Sequence, residues 1–267
     1  MRRVWAVLCL WLVSPVAAEP AYDDLARAMR LTEVVEILRE EGLRYGATLD
    51  TELLEGAGGA FFAAQVARIY APDRMHAALR DALSDHLDPE QAAAATAFFS
   101  TATGQTILTL ENSARRAFAD DGIEEMALDR AEEAGEGDPR LGQVAAYVAA
   151  NDLIGQNVKG AISADFQFYR GLSDGQGTAR DDGAVLASLL EGRDETEAET
   201  RRWVMGFLYF AYAPLDDAQM QANIDFSLSP AGQALNTALF DGFDRLYGAI
   251  SYDLGRAVGF ALKASDI

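Results

Sequence analysis

The chain has 267 residues, with 22 Lys and Arg against 42 Asp and Glu, two His, one Cys, and half of its residues hydrophobic. That length allows one or two domains with a real core and no need of disulfide or metal staples. A net charge of −20 argues against nucleic acid and against adsorption to an anionic bilayer, since both are bound through Lys and Arg.

Residues 1–18 read as a signal peptide. Arg2 and Arg3 form its positive region, Val4 to Val13 its apolar run, and Val16-Ala17-Ala18 a small-residue cleavage site before Glu19. Ten apolar residues fall short of the roughly 20 that cross a bilayer, so a cleaved leader is expected and not an anchor. Cys9 lies inside that run, so the expected mature, periplasmic chain is cysteine-free. This excludes disulfide scaffolds, thiol nucleophiles and Cys-based zinc sites.

Along the rest of the chain apolar residues recur at helical spacing, as in Leu31, Val34, Val35 and Leu38, then Met75, Leu79 and Leu83. Strand-like alternation is scarce, and good helix formers fill these stretches. The expectation is an all-α bundle of two related multi-helix halves, 19–134 and 139–267, divided at the Gly- and acid-rich stretch Glu132 to Pro139. A second, longer loop is expected over Arg170 to Gly183. Trp203 to Leu215 is too short to span a membrane and predicts a buried core helix, leaving no transmembrane segment in the mature chain.

Residues 87–118 and 215–246 align without a gap at an offset of 215 − 87 = 128. Eight of the 32 positions are identical: Leu87/Leu215, Asp88/Asp216, Gln91/Gln219, Ala94/Ala222, Phe98/Phe226, Gly104/Gly232, Gln105/Gln233 and Thr109/Thr237. Asp88 with Gln91, and Asp216 with Gln219, have capping-box spacing, and Leu87 and Leu215 stand where a hydrophobic staple would pack on Ala92 and Met220. Ten residues on, Thr101 and Ser229 suit a second N-cap, with Pro230 at the first helical position. Each unit therefore reads as a capped helix, a tight corner and a second helix. Gly104 and Gly232 stand in the first turn of that helix, where a missing side chain admits another backbone.

Asp-x-x-Gln followed by Phe98-Phe-Ser-Thr-Ala-Thr-Gly-Gln105, and again by Asp225-Phe-Ser-Leu-Ser-Pro-Ala-Gly-Gln233, resembles the F-Y-x-S-P-x-G-Q corner of the exported bacterial family of domain of unknown function 2059. The second copy is the closer. Ser227 stands where the family usually has Tyr, and Thr101-Ala102 replaces Ser-Pro in the first copy. The resemblance covers about a quarter of the chain, implies an all-helical exported protein, and brings no activity with it.

No catalytic, cofactor or metal site is nominated. Gly171-Leu-Ser173-Asp-Gly175 matches a hydrolase nucleophile elbow, but His76 and His86 both precede it and no strand is expected before it. Asp174, Asp181 and Asp182 lack EF-hand spacing, and two His ten residues apart make a poor zinc site. Glu195, Glu197 and Glu199 before Arg201 and Arg202 read as a solvated helix face. Gln105 and Gln233 are expected to tie the corner to a neighbouring helix in preference to binding an anion. Trp203, Phe207, Phe210, Phe226, Phe240, Phe243 and Tyr247 read as core, and Gly248, Gly255 and Gly259 as marks of close packing by the last helix. The expected function is a non-enzymatic binding or interaction module of the cell envelope with an unknown envelope protein as partner. Its alternatives are a carrier of a small apolar ligand, with the Trp203 segment lining a cavity, and a hydrolase using an acidic dyad.

Overall fold

The computed structural model describes residues 18–135 and 137–265, so the leader expected over 1–18 lies outside the described residues but for Ala18. Among the described residues the chain is all-α, without strands. The helices are α1 (Ala18–Ala28), α2 (Leu31–Leu53), α3 (Gly59–Ile69), α4 (Pro72–His86), α5 (Pro89–Phe99), α6 (Ala102–Ala117), α7 (Asp121–Ala134), α8 (Pro139–Ala150), α9 (Leu153–Gln176), α10 (Asp182–Glu191), α11 (Arg193–Tyr212), α12 (Asp217–Leu228) and α13 (Pro230–Ser265).

Their starts follow from residue chemistry. Asp88, Thr101, Asp120, Asp138, Asp181 and Asp216 each stand at an N-cap and accept a bond from a first-turn amide. Pro at the first helical position opens α4, α5, α8 and α13, where the missing N–H costs nothing. Helices α2, α3, α9 and α11 start without either device, and two of these starts are left-handed. Arg30, between α1 and α2, and Asp152, between α8 and α9, sit in the left-handed region at φ 54° and 48°, an uncommon conformation for a non-glycine residue.

Two apolar clusters organise the bundle. The larger joins α1 to α5 with the length of α13, from Leu235 through Leu246, Ile250 and Leu254 to Val258. The other gathers Ile107 and Ala114 of α6, Val144 and Val148 of α8, Val158 of α9, and Val204, Leu208 and Tyr212 of α11. Each expected half sends its closing helices across to the other: α13 packs on α4 and α5, and α6 and α7 pack on α11. Both clusters therefore draw on both sides of residues 135–138.

The loop expected over Arg170 to Gly183 is a correction. Helix α9 runs on to Gln176, and only 177–181 connect it to α10, with Gly177 closing α9 at φ 72°. Gly171 and Gly175 are helical because they face α13. A Cβ on Gly171 would lie 2.0 Å from the Tyr252 carbonyl oxygen, and one on Gly175 2.4 Å from that of Arg256. From the other side, Gly255 and Gly259 meet the carbonyl oxygens of Phe168 and Leu172 in the same way. Two glycine pairs, each spaced by four, thus let α9 and α13 touch backbone to backbone. Gly248 is the exception to the close packing read from the sequence, since a Cβ there would make only an ordinary contact with Gln167.

Candidate functional site

The two corners carry most of the residues singled out in the sequence. Asp88 accepts from the Gln91 amide at 2.8 Å, and the Gln91 side chain accepts from the Asp88 amide at 3.0 Å; Asp216 and Gln219 repeat both bonds at the same lengths. The residue before each cap is buried, and its carbonyl is engaged: Tyr22 Oη donates to Leu87, and the Arg140 guanidinium to Leu215. At the bend, Thr101 accepts from Gly104 N–H and donates to the Phe98 carbonyl, while Ser229 does the same between Gly232 and Phe226. Pro230 is the first residue of α13. A Cβ on Gly104 would lie 2.5 Å from the Phe98 carbonyl oxygen, and one on Gly232 1.9 Å from that of Phe226. The bend closes only without side chains there.

Gln105 and Gln233 then lock each corner to the helix pair in front of it. Gln105 Nε2 donates to the carbonyls of Phe99 and Ala28, and Gln233 Nε2 to those of Ser227 and Ala150. Ala28 and Ala150 each lie two residues before the left-handed Arg30 or Asp152. Arg30 Nε returns a bond to Gln105 Oε1 at 2.8 Å; in the other corner Asn236 donates to the Asn151 carbonyl at 3.0 Å. The corners meet at Phe98 and Phe226, which stack with centroids 4.1 Å apart and planes 2° from parallel, with Phe99 edge-on to Phe226.

Residues 73–133 match the family described as an uncharacterized protein conserved in bacteria (DUF2059). That segment is a DUF2059 region. It spans α4 to α7 and holds the first corner, whereas the second corner, which the sequence motif made the closer match, lies outside it. No curated protein and no solved structure matches the chain. The corner's chemistry is turned inward: the amides of Gln91, Gly104, Gln219 and Gly232 are taken by their own caps, and both glutamines are spent on carbonyls.

The open surface of the DUF2059 region lies around its last helix. α7 packs chiefly on α11, where Leu128 sits against Gly206; a Cβ there would lie 2.4 Å from Leu128 Cδ2. Arg202 fastens the outer face of α7, reaching Glu125, Asp129 and Glu132 at 2.7 to 3.0 Å in a solvent-exposed bridge between the two helices. Arg201 stays on its own helix, paired with Glu197. Beneath α7, Trp203 stacks on Phe207, and Phe118 meets both rings edge-on. The aromatic set read as one core from the sequence is divided: Phe226 belongs to the corner, and Phe243 and Tyr247 stack beside the other cluster.

Open grooves flank α7. The largest, about 1070 Å³, lies between α6, α7 and α11; Leu110, Ala114, Met126 and Phe210 line it, and Glu125, Asp129 and Glu133 stand among its polar residues. Met126 is 58% exposed and presents its thioether to this groove's opening. A second groove, about 450 Å³, passes Trp203 and is likewise open to solvent.

One half-buried acid is not evident from the sequence. Glu111, on α6, accepts a hydrogen bond from Tyr212 Oη, which also accepts from Asn223 at 3.3 Å, and the Tyr147 ring packs edge-on against Tyr212. Burial raises the Glu111 carboxyl above the usual range, against the opposing pull of the Tyr212 bond, and holds the Tyr212 and Tyr147 hydroxyls protonated. The signal was present: Glu111 stands four residues after buried Ile107, on the apolar stripe of its helix. Tyr212 is its hydrogen-bonding neighbour, and Asn223 supports that tyrosine in turn.

The remaining candidates are engaged with their neighbours. Ser173 lies inside α9, between the glycines that meet α13. Arg180 pairs with Asp174 and Asp182, and Asp181 caps α10. His86 meets Asp241 at 2.9 Å, a bond that pulls the Asp241 carboxyl below its ordinary value. Among the described residues no group of three or more His, Cys, Asp or Glu could hold a metal ion, and no helix is long and apolar enough to cross a membrane.

Proposed function

We propose that this protein is an exported, periplasmic interaction module of the cell envelope, and that it receives an amphipathic helical segment of a partner protein between α6, α7 and α11. One observation carries the binding reading: the groove of about 1070 Å³ joins an apolar lining and a solvent-facing Met126 to a mainly acidic rim. Helix-in-groove recognition uses such a lining for the apolar face of the incoming helix, with Met adapting to its shape. The rim selects a segment with Lys or Arg along its flanks. Arg2, Arg3 and the apolar run Val4 to Val13 support export.

We also infer that the helix series α1 to α6 and α8 to α13 arose by duplication. The repeated capping boxes, the left-handed residues before α2 and α9, and the paired glutamine bonds support this.

The test is a photo-crosslinking residue at Met126, with one at Leu186 on α10 as control, in the intact protein expressed in its native envelope. Expected is a discrete protein adduct from position 126 in the periplasmic fraction, weakened by Glu133→Lys. An adduct with lipid alone would replace this reading with the apolar carrier. Retention of the protein in the cytoplasm would overturn export.

A further inference from the structure

A further groove, lined by other helices, has the opposite character. It runs between α3 and α13 with a volume of about 590 Å³, within the range of small-molecule sites. Its walls are Phe61 and Phe260, 73% and 48% exposed, and its floor is Phe62 and Ile69, both buried. Exposed phenylalanines on facing helices leave apolar surface in water on both sides of one channel, an arrangement that marks a ligand or partner surface.

The charge of this groove runs against that of the chain. Three arginines, Arg68, Arg74 and Arg256, line it with a single carboxylate, Asp253, in a protein of net charge −20. Arg74 is bound to Asp253 at 2.7 Å. The other two have no carboxylate partner among the described residues: Arg68 donates to the Gln65 side chain, and Arg256 lies over the Phe260 ring at 5.3 Å. Where acids outnumber bases almost two to one, two exposed guanidiniums without an acid, framing an aromatic channel, are a local anion site. The planar fork of arginine suits a carboxylate or phosphate, and the phenylalanines suit the chain attached to it.

We propose that this groove binds a single-chain anionic amphiphile, its carboxylate or phosphate head held by Arg68 and Arg256 and its apolar chain laid between Phe61 and Phe260. The site is independent of the groove at α7. A single molecule fits better than a bilayer surface, because the arginines belong to a bounded channel while the surrounding protein repels an anionic sheet.

Isothermal titration calorimetry of the full protein with dodecyl phosphate, kept below its micelle-forming concentration, tests this. Expected is saturable one-to-one binding, about tenfold or more weaker in the double variant Arg68→Gln, Arg256→Gln. Both side chains are exposed, and far-UV circular dichroism checks that the variant keeps its helices. Phe61→Ser is expected to weaken binding as well, whereas Leu186→Ser, on the exposed face of α10, leaves it unchanged. Dodecyltrimethylammonium, with the same chain and opposite charge, is expected not to compete. Equal affinity for the cationic amphiphile, undiminished binding by the double arginine variant, equal affinity for inorganic phosphate alone, or binding only to phosphatidylglycerol vesicles would each overturn the proposal.

Discussion

The two corners start alike and end differently. Both use an Asp/Gln capping box, a hydroxyl cap and a glycine under a carbonyl, yet α6 stops at Ala117 while α13 continues to Ser265. The stop is written locally. Asp120 caps a new helix by accepting from Gly122 and Ile123, whereas the aligned stretch Tyr247-Gly248 carries on into Ile250, Leu254 and Val258, all buried. What α13 gains in length is used against α9, which it meets at the paired glycines. What α6 loses frees α7 to fold back on α11. One local design thus yields a central strut in one place and a grooved outer surface in the other.

The comparison breaks most severely at the contact only α13 makes. Gly255→Leu forces a side chain into the Phe168 carbonyl, where the opposing backbone has no rotamer to yield. The expected cost is more than about 3 kcal/mol, seen as loss of a cooperative thermal transition. Next is Phe226→Ala, which removes the ring shared by both corners and should cost about 3 kcal/mol in urea unfolding. A double-mutant cycle with Phe98→Ala should return a coupling of about 1 kcal/mol; additivity would show that the stack does not join the corners.

The glycines grade the corners against each other. Gly232→Ala is expected to destabilise more than Gly104→Ala, because its Cβ would come nearer the carbonyl above it, 1.9 against 2.5 Å. An equal fall in Tm would mean that the corners relax independently of their packing. Asp88→Ala and Asp216→Ala should each cost about 1 kcal/mol, and similarly, since the cap bonds are the same at both sites.

The smallest effect is a pH dependence confined to the first corner's helix, where Glu111 occupies the position that Leu239 fills in the other (111 + 128 = 239). Burial raises the folded-state pKa of Glu111, so the folded chain keeps this proton to higher pH than the unfolded chain. Its contribution is full below the unfolded value of about 4.3 and is lost as pH rises through the raised folded value. Glu111→Gln stays neutral and can keep a partner for Tyr212. It should gain urea stability over the parent near about pH 7, with the gain vanishing below about pH 4. A gain independent of pH would show that the carboxyl is not held protonated by its surroundings.

The corners were legible because caps, staples and first-turn glycines act within a few residues, so their spacing survives in one dimension. The loop expected at Arg170 to Gly183 was misjudged for the same reason. Glycine and aspartate signal a turn to local reasoning, and only the approach of α13 makes Gly171 and Gly175 good helical residues. The left-handed Arg30 left no trace, since arginine does not announce positive φ, and Asp152 is one of many aspartates, most of which stand elsewhere in φ/ψ space. Arg202 was read with its own helix because the acids it meets lie about seventy residues away.

The sequence by itself determined the helical class, the repeated corner and the helix starts at Asp88, Thr101, Asp216 and Ser229, because hydrogen bonds and apolar periodicity over one or two turns are enough to set them. Tertiary structure decided which helices cross, which acid meets a buried tyrosine and where the grooves lie. Those depend on side chains from distant segments, such as Glu111 beneath Tyr212 and Phe61 facing Phe260, meeting in space. It also decided the sign of each groove: the chain is acidic throughout, and only packing places Arg68 and Arg256 together on one channel while Glu125, Asp129 and Glu133 rim another.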